Sequence, residues 1–139
     1  MIERMLVVSV AGIDEPWLTG SAAQLARETG AAVTVLGVDD VESQRFEALP
    51  RAELVELARA AAERTANRLA EVGVAAQVAV RSGPAADAVI HFAEELGADL
   101  IVVGASPRAP LLERLLGSLA LDLVQRSGRQ VLVVAEPGA

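Results

Sequence analysis

The sequence predicts an α/β fold in which a parallel sheet is covered by helices on both faces. Five short apolar segments rich in Val and Leu alternate with four segments whose apolar residues recur at helical spacing. A glycine follows each helical segment. The apolar segments mostly lack regular polar alternation, which is typical of strands buried on both faces. Strands that alternate with helices in this way build parallel sheets with right-handed crossovers.

The first strand and helix lie in the N-terminal part of the chain. Residues 5–10 are apolar and Val-rich and predict strand one. Residues 18–29 have apolar positions at helical spacing and predict helix one, which Gly30 ends. Asp14 and Glu15 precede this helix, and we expect one of them to cap it.

The second unit contains the longest predicted helix. Residues 32–38 predict strand two, and residues 39–49 are polar, without a clear period, and predict a loop. Pro50 opens helix two and Gly73 ends it. One face of this helix carries an apolar stripe. We expect the charges on its other face to be solvated and paired with each other, with a partner-binding face as the alternative.

The third unit consists of strand three at residues 74–80 and helix three at residues 85–96, followed by Gly97. Residues 99–103 then predict strand four, and a long loop follows from Gly104.

The C-terminal unit completes a single predicted domain over residues 1–139. Helix four is expected to start near Gly117 and to stop at Gly128, and residues 130–135 predict strand five. The side chains of helix four predicted to face the core are Leu116, Ala120, Leu123 and Val124.

The composition excludes several kinds of catalytic site. The chain has 139 residues and a mass of 14.4 kDa, with no cysteine, no lysine, no tyrosine and one histidine, His91. Thiolate zinc sites, Schiff-base chemistry, Walker-A phosphate binding and multi-histidine metal sites are therefore excluded. We predict no catalytic residues and no metal ligands.

The charge and hydropathy pattern predicts a soluble cytoplasmic protein. The net charge is −7 and the pI is about 4.7, which disfavours binding to nucleic acid or to an anionic membrane. No apolar run approaches the roughly 18 residues of a membrane span, so we expect no membrane insertion. The N-terminus does not have the layout of a signal peptide.

Two loops are candidates for a ligand site. Ligands of open parallel sheets bind beyond the carboxyl ends of the strands, where the strand order reverses. Residues 11–14 follow strand one and residues 104–118 follow strand four. Gly104 allows close backbone approach, and a helix starting at Gly117-Ser118 presents free N–H groups to an anion. Arg108 and Arg114 lie in the second loop as candidate counter-charges, and Glu113 is its candidate general base.

Three segments of the chain resemble one known family. They are GPAADAVI at residues 83–90, GADLIVVG at 97–104, and LLGSLA at 115–120 together with VLVV at 131–134. With these segments the chain resembles the universal stress protein family over nearly its whole length. The resemblance implies a Rossmann-like three-layer sandwich with sheet order 3-2-1-4-5. The reversal then falls between strands one and four, where the two candidate loops meet.

The resemblance also implies a nucleotide site. Nucleotide-binding members carry Gly, two residues, Gly, nine residues, and then Gly followed by Ser or Thr. Gly104 and Gly117-Ser118 match the ends of this motif, and Pro107 stands at the middle glycine. Those members also carry an Asp after strand one, where this chain has Ala11. The residues implied to form the site are Ala11, Gly12, Val38 beside the adenine, Val103, Gly104, Pro107, Arg108, Gly117, Ser118 and Leu119, whose N–H lies near the phosphates.

Ala11 and Pro107 predict that nucleotide binding is weakened. A missing charge-assisted hydrogen bond costs roughly 1.5–3 kcal/mol, or about ten- to a hundredfold in affinity. Proline fixes φ and removes an N–H from a loop that needs free N–H groups. Asp14 is a candidate substitute for the missing carboxylate, although it points in another direction. We therefore expect no tightly held ATP, and Mg²⁺ only if ATP binds.

Three other features are interpreted structurally. We expect Asp39 and Asp40 to be solvated, and His91 to lie on the surface near Asp87. Trp17 is expected to pack, with a place in the pocket wall or an interface as the alternative.

The predicted function is that of a small regulatory or binding module in a stress response. The alternatives are an ATP- or AMP-binding universal stress protein with slow ATP hydrolysis, and a sensory domain of a transporter or sensor kinase. Strand five is an apolar edge strand, and its pairing across a two-fold axis would form a homodimer. The expected interface residues are Val131, Leu132, Val133 and Val134, with Leu119 and Leu121 beside them. No nucleic-acid partner is expected.

Overall fold

A computed structural model of the chain describes residues 1–40, 49–105 and 114–137. Strands and helices alternate through these residues, which confirms the predicted α/β class. The elements are β1 Arg4–Val10, α1 Leu18–Thr29, β2 Ala32–Asp40, α2 Arg51–Glu71, β3 Ala76–Gly83, α3 Ala85–Leu96, β4 Leu100–Ala105, α4 Arg114–Arg126 and β5 Gln130–Ala135.

The five strands form one parallel sheet in the order β3-β2-β1-β4-β5, as the family resemblance implied. β1 is central, and its Val7 is paired with Val35 of β2 and Val102 of β4. The chain winds from β1 outward in one direction through β2 and β3, and in the other through β4 and β5. The reversal therefore lies between β1 and β4, and it opens a crevice at their carboxyl ends.

Alternate side chains of β1 enter two separate core layers. Leu6 and Val8 pack with residues of α3 and α4 on one face, and Met5 and Val7 pack with residues of α1 and α2 on the other. All four are at most 1% exposed. Burial on both faces explains why the strand sequences are continuously apolar.

β2 is longer than the sequence indicated. Asp39 and Asp40 belong to this strand, because its pairing with β3 continues to Ser82 and Gly83. The predicted loop at residues 39–49 is therefore wrong in its first two residues, and residues 41–48 lie outside the described part. The length of a buried strand is set by its neighbour in the sheet, which residue periodicity does not record.

The start of α1 also differs from the prediction. The helix is preceded by Trp17, and no side chain caps it. Asp14 is bonded to Arg68 of α2 instead, and Glu15 is buried. Trp17, and not Asp14 or Glu15, is therefore the N-cap residue, so the predicted cap is wrong.

The buried face of α4 is rotated from the predicted one. Leu119, Ala120 and Leu123 are buried, whereas Val124 is 55% exposed. Leu119 thus takes the core position expected for Val124, and Leu121 stays 56% exposed. On one flank of this helix Arg126 is bonded to Asp87 of α3, which orients the helix against its neighbour. The side chain of Leu116 lies outside the described set.

Candidate functional site

The turn after β1 forms one wall of the crevice. The N–H of Ala11 donates to the carbonyl of Val38 at 2.9 Å, and the N–H of Ile13 donates to the carbonyl of Val10 at 3.0 Å. Gly12 has a φ of 77°, a left-handed conformation that favours glycine. These bonds bring Ala11, Gly12 and Val38 together at the carboxyl ends of β1 and β2.

The end of β4 forms the facing wall. Val103 is fully buried and packs in the same core layer as Val10 and Val38. Gly104 follows it in the strand, paired with Val134 of β5. Five of the predicted site residues, Ala11, Gly12, Val38, Val103 and Gly104, therefore lie at one edge of the sheet.

Glu15 is a residue of this wall that the sequence analysis did not assign to the site. Its side chain is 7% exposed, and its carboxylate lies against the backbone of Gly104. A Cβ at Gly104 would stand 2.2 Å from Oε2 and 2.7 Å from Cδ of Glu15. The signal in the sequence was the position of Glu15 in the loop that follows strand one, where it was interpreted as a helix-start charge.

The predicted phosphate end of the site is built differently from the expectation. α4 already includes Arg114, so Gly117 and Ser118 are its fourth and fifth residues and not its start. In an α-helix the N–H of the fifth residue faces the carbonyl of the first, so the N–H of Ser118 is committed within the helix. The predicted free N–H at Ser118 is therefore wrong, and the N–H of the buried Leu119 lies deeper still in the helix.

Other residues of this loop cannot be placed. Pro107 and Arg108 lie outside the described residues, as do Ser106 and Glu113. Their predicted roles stay predictions.

Asp14 does not replace the missing carboxylate of the site. Arg68 donates two hydrogen bonds to it, at 2.6 and 3.1 Å, and Arg64 lies 3.8 Å away. Asp14 therefore ties the turn to α2. The hydrogen bond from Arg68 is the main cause that holds the pKa of Asp14 below its ordinary value, against a smaller opposing effect of desolvation.

Asp14→Asn is expected to cost less than about 1 kcal/mol at neutral pH, because the pair is half exposed and screened by solvent. The pKa of Asp14 is lower in the folded state. Its contribution is therefore fully present above the unfolded value, about 3.9, and is lost as the pH falls through the folded value. Urea unfolding of the wild type and of Asp14→Asn, at neutral pH and near pH 3, measures this contribution. The difference in the free energy of unfolding between the two proteins should shrink in acid. Glu63→Gln, which removes an exposed charge, is the control. If the stability difference between the wild type and Asp14→Asn widens in acid, the stabilising role of the Asp14–Arg68 pair is contradicted.

Asp39 is buried rather than solvated, which corrects the prediction. It is 1% exposed, accepts a hydrogen bond from Ser82 at 3.0 Å and pairs with Arg51 at 3.3 Å. Its Oδ1 is buried and accepts no hydrogen bond from a described residue. Asp39 thus ties the ends of β2 and β3 to the first residue of α2.

Trp17 contacts β5 at the residue paired with Gly104, whereas His91 lies on α3. The indole N–H of Trp17 donates to the carbonyl of Val134 at 3.0 Å, so Trp17 connects the start of α1 to β5. His91 is exposed on α3. Asp87, its predicted partner, is bonded to Arg126.

A separate groove of about 530 Å³ lies between the end of β3, α3 and Arg126. Both of its arginines are paired with acidic side chains of the groove: Arg81 with Glu95 at 3.3 Å, and Arg126 with Asp87. Arg81 also lies 4.9 Å from the ring centre of Phe92. Because these charges are already paired, the crevice at the reversal is the better candidate site.

Two features are absent from the part of the chain that the structure describes. Residues 1–40, 49–105 and 114–137 contain no group of three or more His, Asp or Glu side chains arranged to hold a metal ion. None of the helices in these ranges has the length and apolar character needed to cross a bilayer.

Comparisons with known proteins give one consistent result. A family model described as the universal stress protein family matches residues 1–135. Two universal stress proteins of Methanocaldococcus jannaschii are similar in sequence. MJ0531 is 32% identical over 84% of this chain and 72% of its own length. MJ0577 is 30% identical over 66% of this chain, and the match spans only 56% of its own length.

A solved structure shows the same fold. The universal stress protein from Archaeoglobus fulgidus in complex with dAMP superposes with a TM-score of 0.72 over 96% of this chain and 99% of that one, at 20% identity.

Proposed function

The chain belongs to the universal stress protein family, and we propose that it acts there as a small binding module whose ligand site is the crevice between β1 and β4. One observation carries this proposal: Ala11, Gly12, Val38, Val103 and Gly104 converge at the topological reversal. The Archaeoglobus fulgidus protein, which has the same fold, holds dAMP. An adenine nucleoside or nucleotide is therefore the ligand class that we propose.

We propose that binding is weak and that the base end of the ligand supplies most of it. Ala11 and Val38, which are 2% and 0% exposed, place small apolar residues beneath the base end of the proposed site. The phosphate end is poorer, because Gly117 and Ser118 lie inside α4 and the middle glycine of the family motif is Pro107. Mg²⁺ would enter only with ATP.

Binding rather than catalysis is the proposed activity. Asp14, at the mouth of the turn, is held by Arg68 with a lowered pKa and is a poor proton acceptor. Glu15 is buried against Gly104. We propose a cytoplasmic location, in keeping with the acidic composition.

Two measurements test the ligand. Nucleotide extracted from the purified protein and separated by chromatography is expected to be far below stoichiometric, and a stoichiometric ATP peak contradicts the proposed weakness. Calorimetry at high ligand concentration is expected to show weak heats for adenosine and its nucleotides, with guanosine and CMP as controls for the base. Absence of heat for every adenine ligand contradicts the site itself.

We also propose a homodimer formed through β5. The N–H of Glu136 donates to the carbonyl of Ala105, so residues of β5 with even numbers face β4. Because successive residues of a strand point their backbone groups to opposite sides, Val131, Val133 and Ala135 point theirs away from the sheet. Such an edge pairs readily with a second copy across a two-fold axis.

Exposed apolar side chains lie beside this edge. On α4, Leu121 and Val124 are roughly 140–200° around the helix axis from Arg126, which faces α3. They therefore lie on the flank toward the free edge of β5. Val133, 41% exposed, is on the same face of the sheet as Val131. The β5 edge surface is defined here as Leu121, Val124, Val131 and Val133.

A further inference from the structure

We propose that the outer face of the first turns of α2 binds a basic amphipathic helix of a partner protein. This surface, called here the α2 groove, is lined by Leu49, Ala52, Glu53, Glu56 and Leu57. It shares no residue with the crevice or with the β5 edge surface, so the proposal goes beyond the proposed ligand site and the proposed dimer.

The α2 groove is apolar and open to solvent. It has a volume of about 520 Å³, and the apolar side chains that line it are Leu49, Ala52 and Leu57. Leu49 is 37% exposed, Ala52 is exposed and Leu57 is half-buried. None of the three belongs to the two core layers of the sheet. Apolar side chains that gather on a surface in this way mark an interaction site, whereas scattered ones do not.

The packing of α2 on the sheet keeps the groove on the outside. Ala58 is fully buried, and a Cβ at Gly37 of β2 would stand 2.2 Å from its carbonyl oxygen. At 100° per residue, Ala52, Glu53 and Glu56 lie roughly 120–160° around the helix axis from Ala58. They therefore face away from the sheet, and α2 cannot rotate to bury them without losing its contact with β2.

The start of α2 is held in place as well. The carbonyl of Pro50 accepts the N–H groups of Glu53 at 3.0 Å and of Leu54 at 3.2 Å, which joins the residue before the helix to its first turn. Arg51 pairs with the buried Asp39 at 3.3 Å. A groove built on a fixed helix needs little ordering when a partner binds, and this favours affinity.

The charge beside the apolar side chains is negative. Among the residues that the structure describes, Glu53 has no ion-pair partner, and Glu56 has Arg59 at 3.9 Å with both side chains largely exposed. Such a pair is weak, so both carboxylates stay available to cations of a partner. The net charge of −7 adds long-range attraction to a basic partner. A second copy of this chain would instead bring two acidic faces together, which like charges oppose.

A helix fits this surface better than an extended segment does. The lining residues recur at spacings of three and four from Leu49 to Leu57, which covers about 12 Å along the axis. Beyond its first turn, the backbone of α2 is bonded within the helix, so an extended peptide finds no strand edge to pair with. A helix satisfies its own backbone and presents apolar side chains at matching spacings. The inferred partner segment thus has one apolar face flanked by Lys or Arg.

Binding of a defined peptide tests the α2 groove. The probe is a fluorescent peptide of about 14 residues, long enough to form a helix, with Leu on one helical face and Lys on both flanks. One control peptide has the same composition in an order that spreads Leu around the helix, and the other has Glu in place of Lys. Fluorescence polarisation at physiological ionic strength should show saturable binding of the probe to the wild type. Both control peptides should bind at least about fivefold more weakly.

Substitutions on α2 locate the contact. Ala52→Arg puts bulk and a positive charge into the groove and should weaken binding of the probe about tenfold. Ala70→Arg is the matched control, because Ala70 is also exposed but lies about 27 Å farther along the same helix. Glu53→Arg should weaken the probe and strengthen the Glu-containing peptide, whereas Glu63→Arg should change either by less than about twofold.

Several outcomes would overturn the inference. It is wrong if the probe does not bind the wild type, if the reordered peptide binds equally well, or if Ala52→Arg and Ala70→Arg have equal effects. Amide chemical shifts of the wild type should change at residues 49–57 when the probe is added, and changes confined to other residues contradict the site. If the shifts at residues 49–57 change with protein concentration alone, a second copy covers the groove and the inference is wrong. The comparison of peptides on the wild type needs no variant, so it holds even if a variant fails to fold.

Discussion

Gly37→Ala is expected to destabilise the protein by about 3 kcal/mol, near the upper end of the cost of overpacking. A Cβ at Gly37 would stand 2.2 Å from the carbonyl oxygen and 2.8 Å from the carbonyl carbon of Ala58. Those atoms belong to the backbone of α2 at a fully buried residue, so no side-chain rotation relieves the clash. The helix has to move away from the sheet, which loosens the core layer that it shares with β2.

Thermal and urea unfolding measure this effect. About 3 kcal/mol in a domain of this size corresponds to a fall in Tm of roughly 6–12 °C. The control is Gly20→Ala in α1, where the added Cβ has nothing within 4 Å. It is expected to raise stability by about 0.5 kcal/mol, because alanine favours helix more than glycine does. A Gly37→Ala protein within about 1 kcal/mol of the wild type would show that α2 does not pack this closely.

The fold was predictable because its signals are local. Gly30 and Gly97 end α1 and α3 in left-handed conformations, with φ of 71° and 69°, and their N–H groups donate back into the helix. That conformation strongly favours glycine at a helix end, so the residue itself marks the boundary. The apolar strands likewise follow directly from burial on both faces.

The fine structure of the site was not predictable because it depends on tertiary neighbours. Asp39 looks like a solvated charge in the sequence, but β3 extends beside it and supplies Ser82, while α2 supplies Arg51. Glu15 looks like a helix cap, but the open space over Gly104 takes its carboxylate. Ser82 and Gly104 are each more than forty positions from the carboxylate that they contact, and Arg51 is twelve positions from Asp39. A resemblance to a family aligns the positions of this chain with the positions of the family motif, but it does not determine tertiary contacts such as those of Asp39 and Glu15.

Val133→Pro is expected to convert a dimer into a monomer without loss of the fold. The N–H of Val133 points away from β4, so its removal costs no hydrogen bond within the sheet, and proline is tolerated at such edge positions. In an antiparallel two-fold pair the change occurs on both strands. Two intermolecular hydrogen bonds, at about 0.5–1.5 kcal/mol each, are then lost together, which raises the dissociation constant by up to about a hundredfold.

A second variant tests the apolar part of the β5 edge surface. Val124→Glu places a charge on a side chain that is 55% exposed and that we expect to be covered in the dimer. Val72→Glu is the matched control, since Val72 is 47% exposed and follows α2, away from β5. We expect the control to remain dimeric and Val124→Glu to dissociate more readily than the wild type.

Light scattering after size exclusion, over a wide range of concentrations, decides among these cases. The wild type should give twice the chain mass of 14.4 kDa, and Val133→Pro should approach the mass of one chain while circular dichroism and Tm stay near the wild type. A wild type that is monomeric at every concentration rules out the dimer. If the dimer persists in Val133→Pro and Val124→Glu but dissociates in Val72→Glu, the interface lies near Val72 and not at β5. If all three variants remain dimeric, the two chains meet through some other surface, and the exposed edge of β5 then needs another explanation.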